Sequence, residues 1–192
     1  MIRTSYPQYK PLLMFFLVMI VIGILSGIFY SLKLGNSLND VVFEYIINLI
    51  DKKMLLNANF YHIIIFLLIS ITSFILIGPF FCAFALFYEG FSIGVVIMTL
   101  MSQKALKGLI FAIIYIIGSK IVFLILLIVL SILSFKLFKN IISKNNKNNN
   151  YYLNLYRYLK YFIIILSLMT FNEIFFIPLL NKLCCYFSFI IV

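Results

Sequence analysis

Four long apolar stretches dominate the chain: Leu12 to Leu32, Ile63 to Phe87, Leu109 to Phe135 and Tyr161 to Leu180. A helix needs about 20 residues to cross a hydrocarbon core some 30 Å thick, so each stretch predicts a membrane-spanning segment. A fifth stretch, from Gly90 to Met101, would rise only about 18 Å as a helix and reads as a short tilted partner or a re-entrant half-helix. Breaks fall inside the runs as well as between them. Gly78 and Pro79 sit within the second run, where proline removes a backbone hydrogen bond and predicts a kink. Gly118, Ser119 and Lys120 interrupt the third and suggest two half-length helices, and Pro178 closes the fourth. The pattern predicts an all-α, polytopic transmembrane helical bundle of about five membrane segments, with kinked and re-entrant pieces, forming one integral membrane domain over 1–192.

The linker after the first run, residues 33–61, is patterned differently. Asp40, Glu44, Asn48 and Asp51 recur at helical spacing, and Val42, Phe43, Ile46, Ile47, Leu49 and Ile50 cover the remaining surface. This predicts an amphipathic helix lying on the bilayer or on the bundle, capped by Ser37 and Asp40. Its apolar face, represented by Ile46 and Leu49, is a candidate docking surface for a partner outside the cell.

Composition agrees with the membrane reading. Hydrophobic residues make up 65% of the chain and charged ones 10%, with a mean hydropathy of +1.19, outside the range of soluble domains. Arg3 and Lys10 precede the first run, but its length and the lack of a small-x-small site favour a retained helix over a signal peptide. The formal net charge of +10 collects at segment ends and in residues 136–160, a basic, Asn-rich loop containing the low-complexity run "NNKNNN". By the positive-inside rule this loop and the N-terminus face the cytoplasm of a cell membrane, and the first linker faces outside. That distribution indicates membrane lipid as a partner and argues against nucleic acid. Cys82, Cys184 and Cys185 have neither metal-type nor disulfide-framework spacing, and nothing in the sequence calls for a cofactor.

Candidate chemistry reduces to a few residues. Glu89 is the only formal charge between Ile63 and Ser102, and Glu173 lies in the last run. An ionised side chain in lipid costs about 3 kcal/mol on insertion scales, so both carboxylates should face protein or water. Lys120 is the natural cation for either; snorkelling is its alternative. Gly90 and Gly94, just after Glu89, suit a sharp reversal or close helix packing, which makes Glu89 a turn residue on this reading. His62, beside Tyr61 at the edge of a run, reads as interfacial. No catalytic motif is present, and the reading is non-enzymatic.

The stretch "IGPFFCAFALFYEGFSIGVVIMTL", followed by "KGLIFAIIYIIGSK" and, far downstream, "NEIFFIPLL", resembles the core of the stage II sporulation protein M family. The shared features are a Gly-Pro or Leu-Pro kink, a "LFxxGFxxG" turn, a "KGL" helix start and a Glu-x-x-x-x-Pro ending, over roughly residues 12 to 182. The resemblance implies a membrane scaffold of the sporulation engulfment machinery. It would localise stage II sporulation proteins D and P, which remodel peptidoglycan, at the septal membrane. Two departures stand out. "IGSKIVF" replaces a Pro-Gln-Asn-like break, and Glu89 occupies a position that is often lysine, so Glu89 and Lys120 have the look of traded charges. The competing reading is a transporter or permease subunit with a midplane site formed by Glu89, Lys120 and Glu173. A homo-oligomer is compatible with both.

Overall fold

The structure is a computed structural model that describes residues 6–34, 40–44, 55–74, 77–142 and 149–177. Among the described residues are five long α-helices: α1 (Tyr6–Leu34), α2 (Leu55–Phe74), α3 (Gly78–Ser119), α4 (Ile121–Ile142) and α5 (Asn149–Phe171). A π-helical turn, Asn172–Phe176, extends α5. No strand occurs among the described residues. Four of the helices are long and apolar enough to cross a membrane, and α2 adds the shorter apolar stretch Tyr61–Ser73. The chain folds as a polytopic helical bundle of the multi-pass membrane type.

Helix directions follow from which residues meet. Ser73 on α2 lies against Gly78 at the start of α3, and Tyr61 lies beside Tyr88, so α2 and α3 are antiparallel. Gly78 and Pro79 therefore do not kink a single crossing, as the sequence suggests. They open a new helix, with Ile77 as its cap and Pro79 in the first turn, where proline's missing N–H is no loss. The run from Ile63 to Phe87 is thus shared between two helices.

A second correction concerns Glu89. Helix α3 continues through Glu89, Gly90 and Gly94 without a turn. Its break comes later, at Lys104 (φ −130°, ψ 15°) and Ala105 (φ 49°, ψ −128°). In a straight helix residues 100 and 108 would stand about 12 Å apart, yet a Cβ at Gly108 would run into the Leu100 carbonyl. The chain has reversed. Residues 78–103 form one arm and 106–119 fold back along it, burying Leu100, Phe111 and Ala112 among Val96, Ile97 and Ile116. Val42 and Phe43, from the short described piece of the first linker, pack on the same cluster.

The second arm passes through Lys120 into α4, whose Ser134 meets Ser73 and Gly78. The half-length helix expected before Lys120 is therefore the start of a longer descending path, 106–142, interrupted at Lys120. Helix α5 then returns, and Glu173 at its end reaches the level of His62. Residue ranges shift accordingly: α1 and α2 leave 35–54 as the first linker, and α4 and α5 take most of 136–160, leaving 143–148 between them. Lys136 and Lys139 thus lie in the last two turns of α4, and Arg157 and Lys160 in the first half of α5. Ile46 and Leu49, expected to dock a partner, and Pro178, expected to close the last helix, lie outside the described residues.

The bundle has an apolar centre that also buries several polar groups, and an apolar exterior. Phe16, Phe66, Ile69, Leu86, Phe123, Leu127 and Leu130 form the packed centre, together with buried Ser70, Ser73, Ser131 and Ser134. Met14, Val18, Val21, Leu25, Phe80, Phe84 and Ile163 face outward. Such an exterior is stable in lipid, where helices associate through close packing and interhelical hydrogen bonds. Ser73 and Ser134 provide one such bond, at 2.7 Å.

Candidate functional site

Four ionisable side chains from separate parts of the chain converge at one depth. The Lys120 ammonium donates to Glu89 Oε2 at 2.9 Å and lies 3.3 Å from His62 Nε2. His62 Nδ1 is 2.7 Å from Glu173 Oε1. The network runs Glu89, Lys120, His62, Glu173, linking α3, the α3–α4 junction, α2 and the end of α5. Both carboxylates are only 1% exposed and His62 is buried. Glu89 is also close to the midpoint of the 78–103 arm, so the network lies deep along that crossing.

Local structure places each member. Glu89 projects from an unbroken helix beside Gly90, which lets α1 approach. Lys120 is the cap residue that ends α3, with its N–H bonded to the Ile116 carbonyl. The break that interrupts the apolar run is what delivers the cation inward. Glu173 lies in the π-helical turn, whose wider i to i+5 spacing is uncommon and tends to occur at functional positions. That turn keeps Asn172, Glu173 and Ile177 buried while Ile174 and Phe175 face out.

Hydrogen-bond chemistry constrains the proton on His62. An ammonium can only donate, so its approach to Nε2 requires a lone pair there. A carboxylate can only accept, so Nδ1 must carry the hydrogen. With Lys120 as an ammonium and Glu173 as a carboxylate, the Nδ1–H tautomer is the one that satisfies both neighbours. Protonating Nε2 would set two positive groups against each other. The ring is held by Phe123, whose centroid is 4.1 Å away, and the same ring lies 5.9 Å from the Lys120 nitrogen, within cation–π range. Glu89 Oε1 and Asn172 Nδ2 are buried with no protein partner among the described residues.

The structure pairs Lys120 with Glu89 directly and with Glu173 only through His62. His62 is thus no interfacial residue, and sequence reasoning missed it as the link. Its position at the edge of a run conceals how far the other helices extend past it. Gly90 and Gly94 are not turn residues; they hold α1. A Cβ at Gly90 would strike the Ile20 carbonyl, and one at Gly94 the Ile24 carbonyl. Gly23 and Gly27 reciprocate against the Phe87 and Phe91 carbonyls. Two small-xxx-small motifs therefore face each other on parallel helices. The Gly23-x-x-x-Gly27 spacing within the first apolar run is the signal that could have found this contact. Gly118, expected as a kink, lies within α3, and the helix ends two residues later at Lys120.

Among the described residues, no group of three or more His, Cys, Asp or Glu is placed to hold a metal. No family model matches the chain, and neither a curated protein nor a solved structure matches it. Fold and site together define a multi-pass helical membrane protein with a paired charge network at its centre.

Proposed function

We propose that the protein is a non-enzymatic membrane scaffold of the sporulation engulfment machinery, which localises the cell-wall hydrolases known as stage II sporulation proteins D and P at the septal membrane. The basic ends of α4 and α5 and the start of α1 face the cytoplasm, in keeping with the positive-inside rule. The linker after α1 and the 103–106 turn face outside. Kinship to the stage II sporulation protein M family is the source of the biological setting, and it rests on the motif set in 78–120 and 172–180.

One observation favours a scaffold over a solute pathway. The charges that a midplane site would offer are engaged with one another, Glu89 with Lys120 and Glu173 with His62. An internally paired network fixes helices against each other and suits a bundle whose task is to hold position. Val41, on the short helical piece beside the 103–106 turn, is 61% exposed, and Asp40 is hydrogen-bonded to Gln103. The outer face therefore presents a surface anchored to the bundle.

The test is photo-crosslinking in sporulating cells from a reactive residue at Val41, with Lys139 at the opposite end as control. Capture of a cell-wall hydrolase from Val41 and not from Lys139 is the expected result. Failure of both sites in folded, abundant protein would count against the scaffold.

The second reading, a transporter or permease subunit, is favoured by the unpartnered Glu89 Oε1, an acceptor available to a solute or proton. On that reading Glu89→Gln abolishes solute uptake even in the fraction of protein that still folds, as judged by yield and thermal midpoint. A scaffold retains its sporulation function in the same variant.

A further inference from the structure

A cavity of about 200 Å³ opens between α4 and α5 at the basic end, lined by Lys136, Arg157, Asn154, Tyr158, Tyr161 and Leu133. We propose that it binds the phosphate of an anionic phospholipid headgroup from the leaflet at that end of the bundle.

The lining chemistry is specific in kind. It brings together an ammonium, a guanidinium, a carboxamide and two phenols, with no acidic residue among them. Among the described residues neither Lys136 nor Arg157 forms an ion pair. Arginine presents a planar fork that matches phosphate oxygens, and lysine adds a mobile point charge. Basic pockets between membrane helices are suited to lipid headgroups in this way. Location distinguishes a lipid from a free phosphate. Leu133 is only partly buried and Tyr161 is exposed, and one turn deeper the same helices carry exposed Val129 and Ile164. The cavity wall thus continues onto apolar surface that faces hydrocarbon, so a phosphate held here can keep its glycerol and acyl chains in the bilayer. The volume is below the roughly 300–1,000 Å³ of sites that enclose a whole drug-sized ligand. A headgroup fits, and acyl chains stay outside.

Ordinary charge bias at a membrane face would attract anionic lipid without a site, and Lys139 and Lys160 provide the comparison. They lie on the same two helices, each three residues along from one of the cavity's cations, outside the cavity lining. The experiment titrates the full-length chain in neutral detergent micelles with short-chain phosphatidylglycerol, with phosphatidylcholine and inorganic phosphate as separate arms, reading affinity and bound stoichiometry by native mass spectrometry. Phosphatidylglycerol should bind with one lipid per chain, and phosphatidylcholine far more weakly. Lys136→Gln and Arg157→Gln should each reduce affinity roughly five-fold, the scale of one surface cation on an anionic lipid. Lys139→Gln and Lys160→Gln should change it less than about two-fold, since neither touches the cavity. Asn154→Phe fills the cavity without altering charge and should also lose the bound lipid, which keeps the test valid if either charge variant fails to fold. Equal losses at all four cations would reduce the effect to diffuse attraction and overturn the site. Phosphate binding as tightly as phosphatidylglycerol would overturn the lipid assignment, and no saturable binding would overturn both.

Discussion

Lys120 is the residue on which the centre of the molecule turns. Its nitrogen touches Glu89 and His62, and removing it would leave a carboxylate that is 1% exposed without its cation. Breaking a buried pair at one partner costs about 3–5 kcal/mol, much more than the net worth of the pair, because the remaining charge is desolvated and uncompensated. Lys120→Met should therefore lower the thermal midpoint of the purified protein sharply. Glu89→Lys should do the same through repulsion, and the double variant Glu89→Lys with Lys120→Glu should recover most of the loss. Additive damage in that cycle would show that the two residues act independently. The swap has a built-in complication, since the carboxylate introduced by Lys120→Glu would then face His62 Nε2.

At the scale of elements, two features carry the packing. The paired Gly23-x-x-x-Gly27 and Gly90-x-x-x-Gly94 faces bring the α1 and α3 backbones into direct contact. Dispersion and weak Cα–H hydrogen bonds are what hold helices together where lipid removes the hydrophobic drive. Gly94→Val would place its side chain on the Ile24 carbonyl, and overpacking of this kind costs about 1–3 kcal/mol. Expected are a lower thermal midpoint and loss of a disulfide engineered between α1 and α3. The second feature is the reversal at Ala105, whose φ of 49° is a conformation that a Cβ disfavours. Ala105→Gly should raise stability by about 1 kcal/mol, since the strain lies in the folded turn; an unchanged or lowered midpoint would mean that the turn is not strained.

The whole molecule has two unlike ends. Lys10 enters α1 at the end where Lys136, Lys139, Arg157 and Lys160 cluster, because α1 runs parallel to the 78–103 arm. Gln103, Leu106 and the Asp40 piece lie at the other. Single cysteines at Lys139 and Leu106, in a Cys-free background, should react with membrane-impermeant maleimide from opposite faces of the membrane, and one at Lys10 should follow Lys139. Labelling of positions 106 and 139 from the same face would refute the odd number of crossings between them.

Much of this was legible in the chain itself. Run lengths and the near-absence of charge determine a helical membrane bundle, because lipid admits no unsatisfied backbone and each long run can satisfy its own. The lone carboxylates within apolar sequence announce that they must find partners, and Lys120 was identifiable as one of them. Hydropathy, however, is blind to where a continuous apolar run reverses. It could not tell that Pro79 starts a helix or that Glu89 lies within one, since both sit in apolar sequence; the hairpin at Ala105 is exposed and carries polar residues, Ser102, Gln103, Lys104 and Lys107, which mark a break without saying that the chain folds back there. Nor could it assign Lys120 between two glutamates or recruit His62. That choice depends on the relative depth of four helices, which close backbone contact at the glycines and at the Ala105 turn sets, and which no local stretch of sequence contains.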